Sequence, residues 1–374
     1  MVSKKKIMKY SRLTSLAIVI FFLLQSCNPG LNGTVKEIKI PARTTSESLS
    51  TLIDSYIIIP LDRRPEAYIA NAARTIYTDS LILIKNESNQ SILIFNNEGT
   101  LQNTISKRGR GPREYVYISD FTYNPTNKEI TIYDGEKAKK YNQNGKFISE
   151  NNLGFRVDKA VRFDDEHTIL EKVIPSGDSL TDYYIRVVNE AFNTTAERCP
   201  IKPLSGPYFG VEGQFYRTML NGDHACFFSY FGDTVYHINK NSIAPAFAFD
   251  YGKKIITINN GSGYDVDPNN SLRYLSYFEI GDLNLLFFKY QNKGYCFAFN
   301  SSNDNSRLYS TNFTIRDSYK SRGYIRTDAG NIKQFIEAAD PLKEHCLNLE
   351  TLDSVLNETD ADFQCLIQIK FKEL

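Results

Sequence analysis

The chain has 374 residues, with 44 basic against 43 acidic side chains, 41% hydrophobic and 23% charged. That balance excludes wholesale disorder, and a net charge of +1 leaves no electrostatic footprint for nucleic acid. The aromatics are 24 Tyr and 24 Phe with no Trp, a usage that suits the pleated, half-buried surface of a β-sheet.

In chain order, Lys4, Lys5, Lys6, Lys9 and Arg12 form a basic head, and Leu13 to Leu24 is an apolar run broken by Thr14 and Ser15. As a helix, a run of that length spans about 18 Å, well short of a hydrocarbon core of about 30 Å. This is the layout of a secretory signal peptide. The run ends in Leu24-Gln25-Ser26-Cys27, which resembles the lipobox of bacterial lipoproteins. The resemblance implies cleavage after residue 26, acylation of Cys27 and anchoring to a membrane through the N-terminal lipid. Losing the five basic groups of residues 1–26 leaves 39 basic against 43 acidic groups, so the mature chain is mildly acidic. Residues 27–55 are polar and read as lipid anchor and tether, with a first short strand over 35–40.

From residue 56 onward, short β runs alternate with turn residues. Tyr56-Ile57-Ile58-Ile59, Leu81-Ile82-Leu83-Ile84, Ser91-Ile92-Leu93-Ile94-Phe95, Glu129-Ile130-Thr131-Ile132-Tyr133 and Thr234-Val235-Tyr236-His237-Ile238 are examples. Asn97-Glu98-Gly99, Asn144-Gly145, Asn221-Gly222 and Asn239-Lys240-Asn241 supply turns that join antiparallel strands. Helical periodicity is confined to 332–339 and 342–357.

A longer period sets the architecture. The stretch Ile92 to Leu101 reads strand, aromatic, Asn, turn, Gly, strand, and Ala138 to Ile148 repeats it; Thr234 to Phe249 is a looser copy. Repeats of this length suit four-stranded propeller blades, which cannot cover both faces alone and so stack around an axis. The expectation is an all-β chain: a six-bladed β-propeller over 56–374, with a short helical element near the C-terminus. The blades fall near 69–105, 115–153, 155–201, 206–252, 275–313 and 314–374, with Tyr56 to Leu61 joining the last blade to close the ring. A pair of β-sandwiches is the alternative, but it predicts no recurring hairpin.

The loop Ser106-Lys107-Arg108-Gly109-Arg110-Gly111-Pro112-Arg113-Glu114-Tyr115 follows the first hairpin. With Ile94-Phe95-Asn96-Asn97-Glu98-Gly99 before it, it resembles NHL-like propellers and, more closely, the 6-bladed β-propeller lipoproteins of Bacteroidetes. Their pattern runs Gly-x-Gly-Pro-Gly-Glu-Tyr; Arg113 here stands where their third glycine does. The resemblance implies an envelope location, at the outer membrane, and no assigned activity.

Arg108, Arg110, Arg113, Glu114 and Tyr115 are the candidate binding residues, a basic patch facing an anion or glycan at a propeller entrance. The competing reading is a blade connector in which Glu114 pairs with an arginine and Tyr115 packs. No catalytic residue, metal ligand set or cofactor motif is expected. The four histidines lack ligand spacing, the cysteines form no CxxC, and Asp164-Asp165-Glu166 reads as a hairpin tip. The functional expectation is a membrane-anchored envelope protein that binds a glycan, peptide or partner protein and no nucleic acid. The alternative is a hydrolase or lyase with a metal-dependent site at the central channel.

Overall fold

The computed structural model describes residues 35–41, 45–171, 185–198, 216–221, 224–229, 233–252, 257–259, 263–265, 272–337, 342–358 and 363–374. Cys27 and the leader lie outside these residues, as do Cys199 and most of Asp265 to Asn269.

Six antiparallel blades form a ring. Blade 1 runs Ala72–Tyr77, Leu81–Asn86, Ser91–Asn96 and Leu101–Ile105. Blade 2 runs Asp120–Asn124, Glu129–Asp134, Lys137–Asn142 and Phe147–Asn152. Blade 3 runs Lys159–Arg162, His167–Glu171, Ile185–Asn189 and Thr194–Arg198. Blade 4 runs Tyr216–Asn221, His224–Ser229, Thr234–Asn239 and Ser242–Asp250, and Lys36–Lys39 adds an outer strand. Blade 5 runs Arg273–Ile280, Leu283–Tyr290, Lys293–Asn300 and Ser306–Ser310. Blade 6 runs Asp317–Tyr319, Arg322–Asp328 and Gln364–Phe371, and its outermost strand is Ile53–Pro60 from the other end of the fold. First strands of successive blades lie against one another and line the axis. The blades follow their expected segments, except that blade 5 starts at Arg273, two residues early, and Lys36–Lys39 joins blade 4 from outside its segment.

Asparagine punctuates the repeat. In blades 1 to 5 the third strand ends on Asn96, Asn142, Asn189, Asn239 and Asn300. The side chain of Asn96 accepts from Thr100 N at 2.8 Å, that of Asn142 from Lys146 N at 2.9 Å, and that of Asn189 from Asn193 N at 2.9 Å. Asn239 caps Ser242 N at 2.9 Å and Asn300 caps Ser302 N at 2.8 Å. An Asx side chain thus stands in for a backbone partner and turns the chain into the fourth strand. Sequence reading found the copies at Asn96, Asn142 and Asn239. It missed Asn189 and Asn300, where no glycine follows.

Between blades the core is apolar. Ile92, Ile94, Phe121, Ile130 and Ile132 are fully buried between blades 1 and 2, as alternation on facing strands requires. The ring closes where Ile53–Pro60 pairs antiparallel with Gln364–Phe371, placing Ile58 opposite Ile367. The exposed edge of that closing strand is then covered. Leu347 N donates to Tyr56 O at 2.9 Å, and the Asn348 side chain accepts from Ile58 N at 3.0 Å and donates to Ile58 O at 2.7 Å. Covering the edge removes a template for intermolecular strand pairing. The expected helices are α1 (Ala329–Glu337) and α2 (Leu349–Leu356), flanking this cover. Leu49–Leu52, within the segment expected to be tether, forms a short 3₁₀ turn with Leu49 and Leu52 buried in the same core.

Four cysteines, Cys226, Cys296, Cys346 and Cys365, are buried with free thiols. Cys346 donates its thiol to Asn348 Oδ1 at 3.4 Å, and burial raises the pKa of Cys296 well above that of an ordinary thiol.

Candidate functional site

The basic loop connects blades 1 and 2, and its backbone is fixed from inside. Tyr115 is fully buried, with its ring edge-on to Tyr141 at 6.2 Å. Its hydroxyl lies 2.8 Å from Gln90 O and 3.2 Å from Ile105 O, and accepts from Lys107 N at 3.1 Å. The main chain folds back on itself: Tyr115 N donates to Lys107 O at 3.1 Å and Gly109 N to Tyr115 O at 2.9 Å. Glu114 turns inward to accept from Gly111 N at 2.8 Å, rather than pairing with an arginine. A Cβ on Gly109 would stand 1.9 Å from that carboxylate, so a side chain there would push Glu114 off the Gly111 amide. Arg113 contributes its carbonyl to Tyr141 Oη at 3.0 Å.

The side chains of Lys107, Arg108, Arg110 and Arg113 are exposed and form no ion pair among the described residues. The nearby acids hold backbone amides: Asp134 accepts from Val116 N at 3.0 Å and Tyr117 N at 3.2 Å. Next along the chain, Val116 is 51% and Tyr117 45% exposed, a mixed apolar and aromatic surface beside the four cations. Of the sequence candidates, Arg108, Arg110 and Arg113 therefore face solvent, while Glu114 and Tyr115 shape the loop.

The axis carries a second charged group. Arg74, on the first strand of blade 1, donates to Ala160 O of blade 3 at 3.3 Å and lies 3.9 Å from Asp120 of blade 2. Asp120 in turn accepts from Ala160 N at 2.9 Å. Burial works against the Arg74 charge, but Asp120, then Asp317 and Glu171, outweigh it and raise the pKa. This network ties the inner strands of blades 1 to 3 together, with Arg74 Nε left without a hydrogen-bond partner among the described residues.

A third group lies between blades 4 and 5. Glu279, almost fully buried, meets His224 Nε2 at 2.8 Å through Oε2 and His237 Nε2 at 3.2 Å through Oε1. The three ligand-capable atoms lie within 4.8 Å of one another, an arrangement that suits a metal ion. Separations of 55 and 42 residues from Glu279 conceal the group in sequence. The available signal was the acid itself, set in the apolar run Tyr277-Phe278-Glu279-Ile280 where a buried strand position demands a partner. The other histidines are engaged elsewhere: His167 with Asp164 at 3.0 Å and His345 with Asp54 O at 3.0 Å. Asp164 also accepts from Glu166 N at 2.8 Å, as a hairpin tip does.

Two solved structures share this architecture. One is a "putative exported protein" from Bacteroides fragilis NCTC 9343, 17% identical, covering 91% of this chain and 100% of its own, with a TM-score of 0.72. The other is a member of the DUF4221 family from Bacteroides vulgatus ATCC 8482, 11% identical, covering 86% and 97%, with a TM-score of 0.51. At those identities the likeness is one of fold. No curated protein matches the sequence. The family model described as a domain of unknown function (DUF4934) matches residues 35–362, and the chain belongs to that family.

Proposed function

We propose that this chain is an exported envelope lipoprotein, anchored through acylated Cys27 at the outer membrane, whose propeller binds an acidic glycan, peptide or partner protein. The observation that carries the binding role is the connector between blades 1 and 2. Four exposed cations without ion-pair partners among the described residues project from a backbone that Tyr115 and Glu114 hold in place. A loop ordered before binding loses less conformational entropy on binding. Arginine forks suit carboxylate and sulfate oxygens, and beside them the exposed Tyr117 ring carries Lys85 5.2 Å from its centroid, a fifth cation near the patch. Export is supported by the leader pattern of residues 1–26 and by the description of the B. fragilis neighbour.

The test is a glycan array, including uronic-acid and sulfated glycans, probed with residues 28–374, together with a pull-down from envelope extracts. Binding that weakens at least tenfold in an Arg108→Ser/Arg110→Ser/Arg113→Ser variant, and falls with salt, supports the reading. Silence in both assays overturns it. Detergent partitioning of wild type against Cys27→Ser tests the anchor: the wild type enters the detergent phase and the variant stays aqueous.

A further inference from the structure

We propose that His224, His237 and Glu279 form a binding site for one divalent transition-metal ion, zinc by preference, in the cleft between blades 4 and 5. Strand geometry builds the site. Cys226 pairs with His237 across the second and third strands of blade 4. His224 stands two residues before Cys226, so alternation puts both imidazoles on the same blade face. Glu279 reaches them from the first strand of blade 5.

The distances decide whether an ion fits. Three ligands about 2.05 Å from a tetrahedral ion stand about 3.3 Å from one another. The two Glu279–imidazole separations are 2.8 and 3.2 Å, and the whole set spans at most 4.8 Å. Shifts of a few tenths of an ångström at the carboxylate, with closure of the two imidazoles, complete the geometry. The imidazole rings are neighbours already, tilted by 41° with centroids 4.2 Å apart.

An outer shell supports the ligands. The Tyr277 hydroxyl lies 2.8 Å from Glu279 Oε1 and 2.5 Å from Asn284 Oδ1. Asn284 is oriented by donating its amide to Asp282 O at 3.0 Å. Such hydrogen bonds orient a ligating carboxylate.

The donor set names the class of ion. Two imidazoles and one carboxylate suit zinc, cobalt, nickel or ferrous iron over calcium and magnesium, which take oxygen ligands. Exposure names the open side. The side chains of His224 and His237 are 26% and 43% exposed, against 4% for Glu279. The fourth position thus faces solvent, where a water or a ligand oxygen completes the shell. Binding through Nε2 leaves the single proton of a neutral imidazole on Nδ1, and an imidazolium releases its second proton to solvent. The ion joins two blades, which adds stability, and it leaves a Lewis-acidic position outside the ring axis.

The experiment uses tag-free protein stripped with chelator, titrated with zinc by calorimetry and with cobalt by visible absorption. The expected result is one equivalent bound, a four-coordinate cobalt spectrum and a rise in melting temperature. His237→Ala, at the more exposed position, keeps the fold by circular dichroism and loses at least tenfold in affinity. His224→Ala does the same, while His167→Ala binds as wild type. Absence of stoichiometric binding in the wild type overturns the proposal. So does unchanged affinity in folded His237→Ala, which places the ion elsewhere.

Discussion

Gly99 and Gly145 occupy the same place in the hairpins of blades 1 and 2, and their substitutions separate backbone strain from ring closure. Both have positive φ, +85° and +77°. An alanine at either position costs about 1–2 kcal/mol for the left-handed conformation. Their surroundings differ. A Cβ at Gly145 meets only Ile105 Cγ1 at 3.8 Å, an ordinary contact. A Cβ at Gly99 falls 2.0 Å from Pro60 O, a backbone atom at the end of the closing strand. Gly99 O also accepts from Asp62 N at 2.9 Å, and that bond breaks when the hairpin retreats. Overpacking against an immovable neighbour costs about 1–3 kcal/mol, and a lost backbone hydrogen bond about 1 kcal/mol. Gly99→Ala is therefore about 2–4 kcal/mol more destabilising than Gly145→Ala. At about 2.1 cal/mol/K of unfolding entropy per residue, a body of this size melts about 3–5 °C lower for that difference. Paired thermal and urea melts of the two variants measure it. Equal losses refute the reasoning, because they show that the approach to Pro60 carries no energy and the ring closes without it.

Further outcomes follow from the same contacts. Glu190 of blade 3 pairs with Lys140 of blade 2 at 2.6 Å and with Arg162; burial works against its charge, but those partners win and hold its pKa below the ordinary value. Its stabilising contribution is therefore complete above the unfolded pKa of about 4.3 and disappears as pH falls through the lower folded value. Melts from pH 7 to pH 3 will show a shallower acid loss in Glu190→Gln than in wild type, and parallel curves refute this. Cys365 is buried, with its thiol pushed up to about 12, so iodoacetamide at pH 8 leaves it unmodified until urea unfolds the ring, as peptide mass mapping will show. Native-state labelling of Cys365 contradicts its burial. Glu114→Ala frees Gly111 N and opens the connector, so trypsin cuts faster after Arg108, Arg110 or Arg113 while the melting temperature moves little. Unchanged cleavage places the loop's order in Tyr115 alone.

The fold was legible because its repeat is chemically simple. Every blade needs two apolar strand faces and a turn between its third and fourth strands, and Asn with Gly marks that turn at Asn96 and Asn142. Where neither a glycine nor a second Asn two residues on accompanies the Asn, as at Asn189 and Asn300, the mark fades although an Asx cap forms there too. Ring closure was legible as an orphan strand, since Tyr56 to Leu61 had no neighbour of its own before blade 1. The short strand over 35–40 was read too, but not its place on the outside of blade 4, because edge pairing needs only a free backbone.

The basic connector and the histidine group differ in legibility for a physical reason. The connector is local: Glu114 caps an amide three residues away, so its residues sit together in the chain. The histidine group is assembled across an interblade cleft, 55 and 42 residues apart, and its members share no local pattern. Their pairing is decided by which face of one blade meets which strand of the next, a property of the closed ring. A propeller thus hides its between-blade sites from sequence while displaying its connectors. The residue that betrays such a site is the one that breaks the apolar alternation, and in blade 5 that residue is Glu279, deeply buried beside Tyr277 and Asn284. Replacing it with glutamine tests that logic directly. Removing the charge while keeping the shape takes the Glu279 carboxylate charge away from both imidazoles. If Glu279 is there for the histidines, Glu279→Gln folds yet loses at least tenfold in zinc affinity, as His237→Ala does. If it is there for Tyr277, the variant loses thermal stability and keeps its zinc.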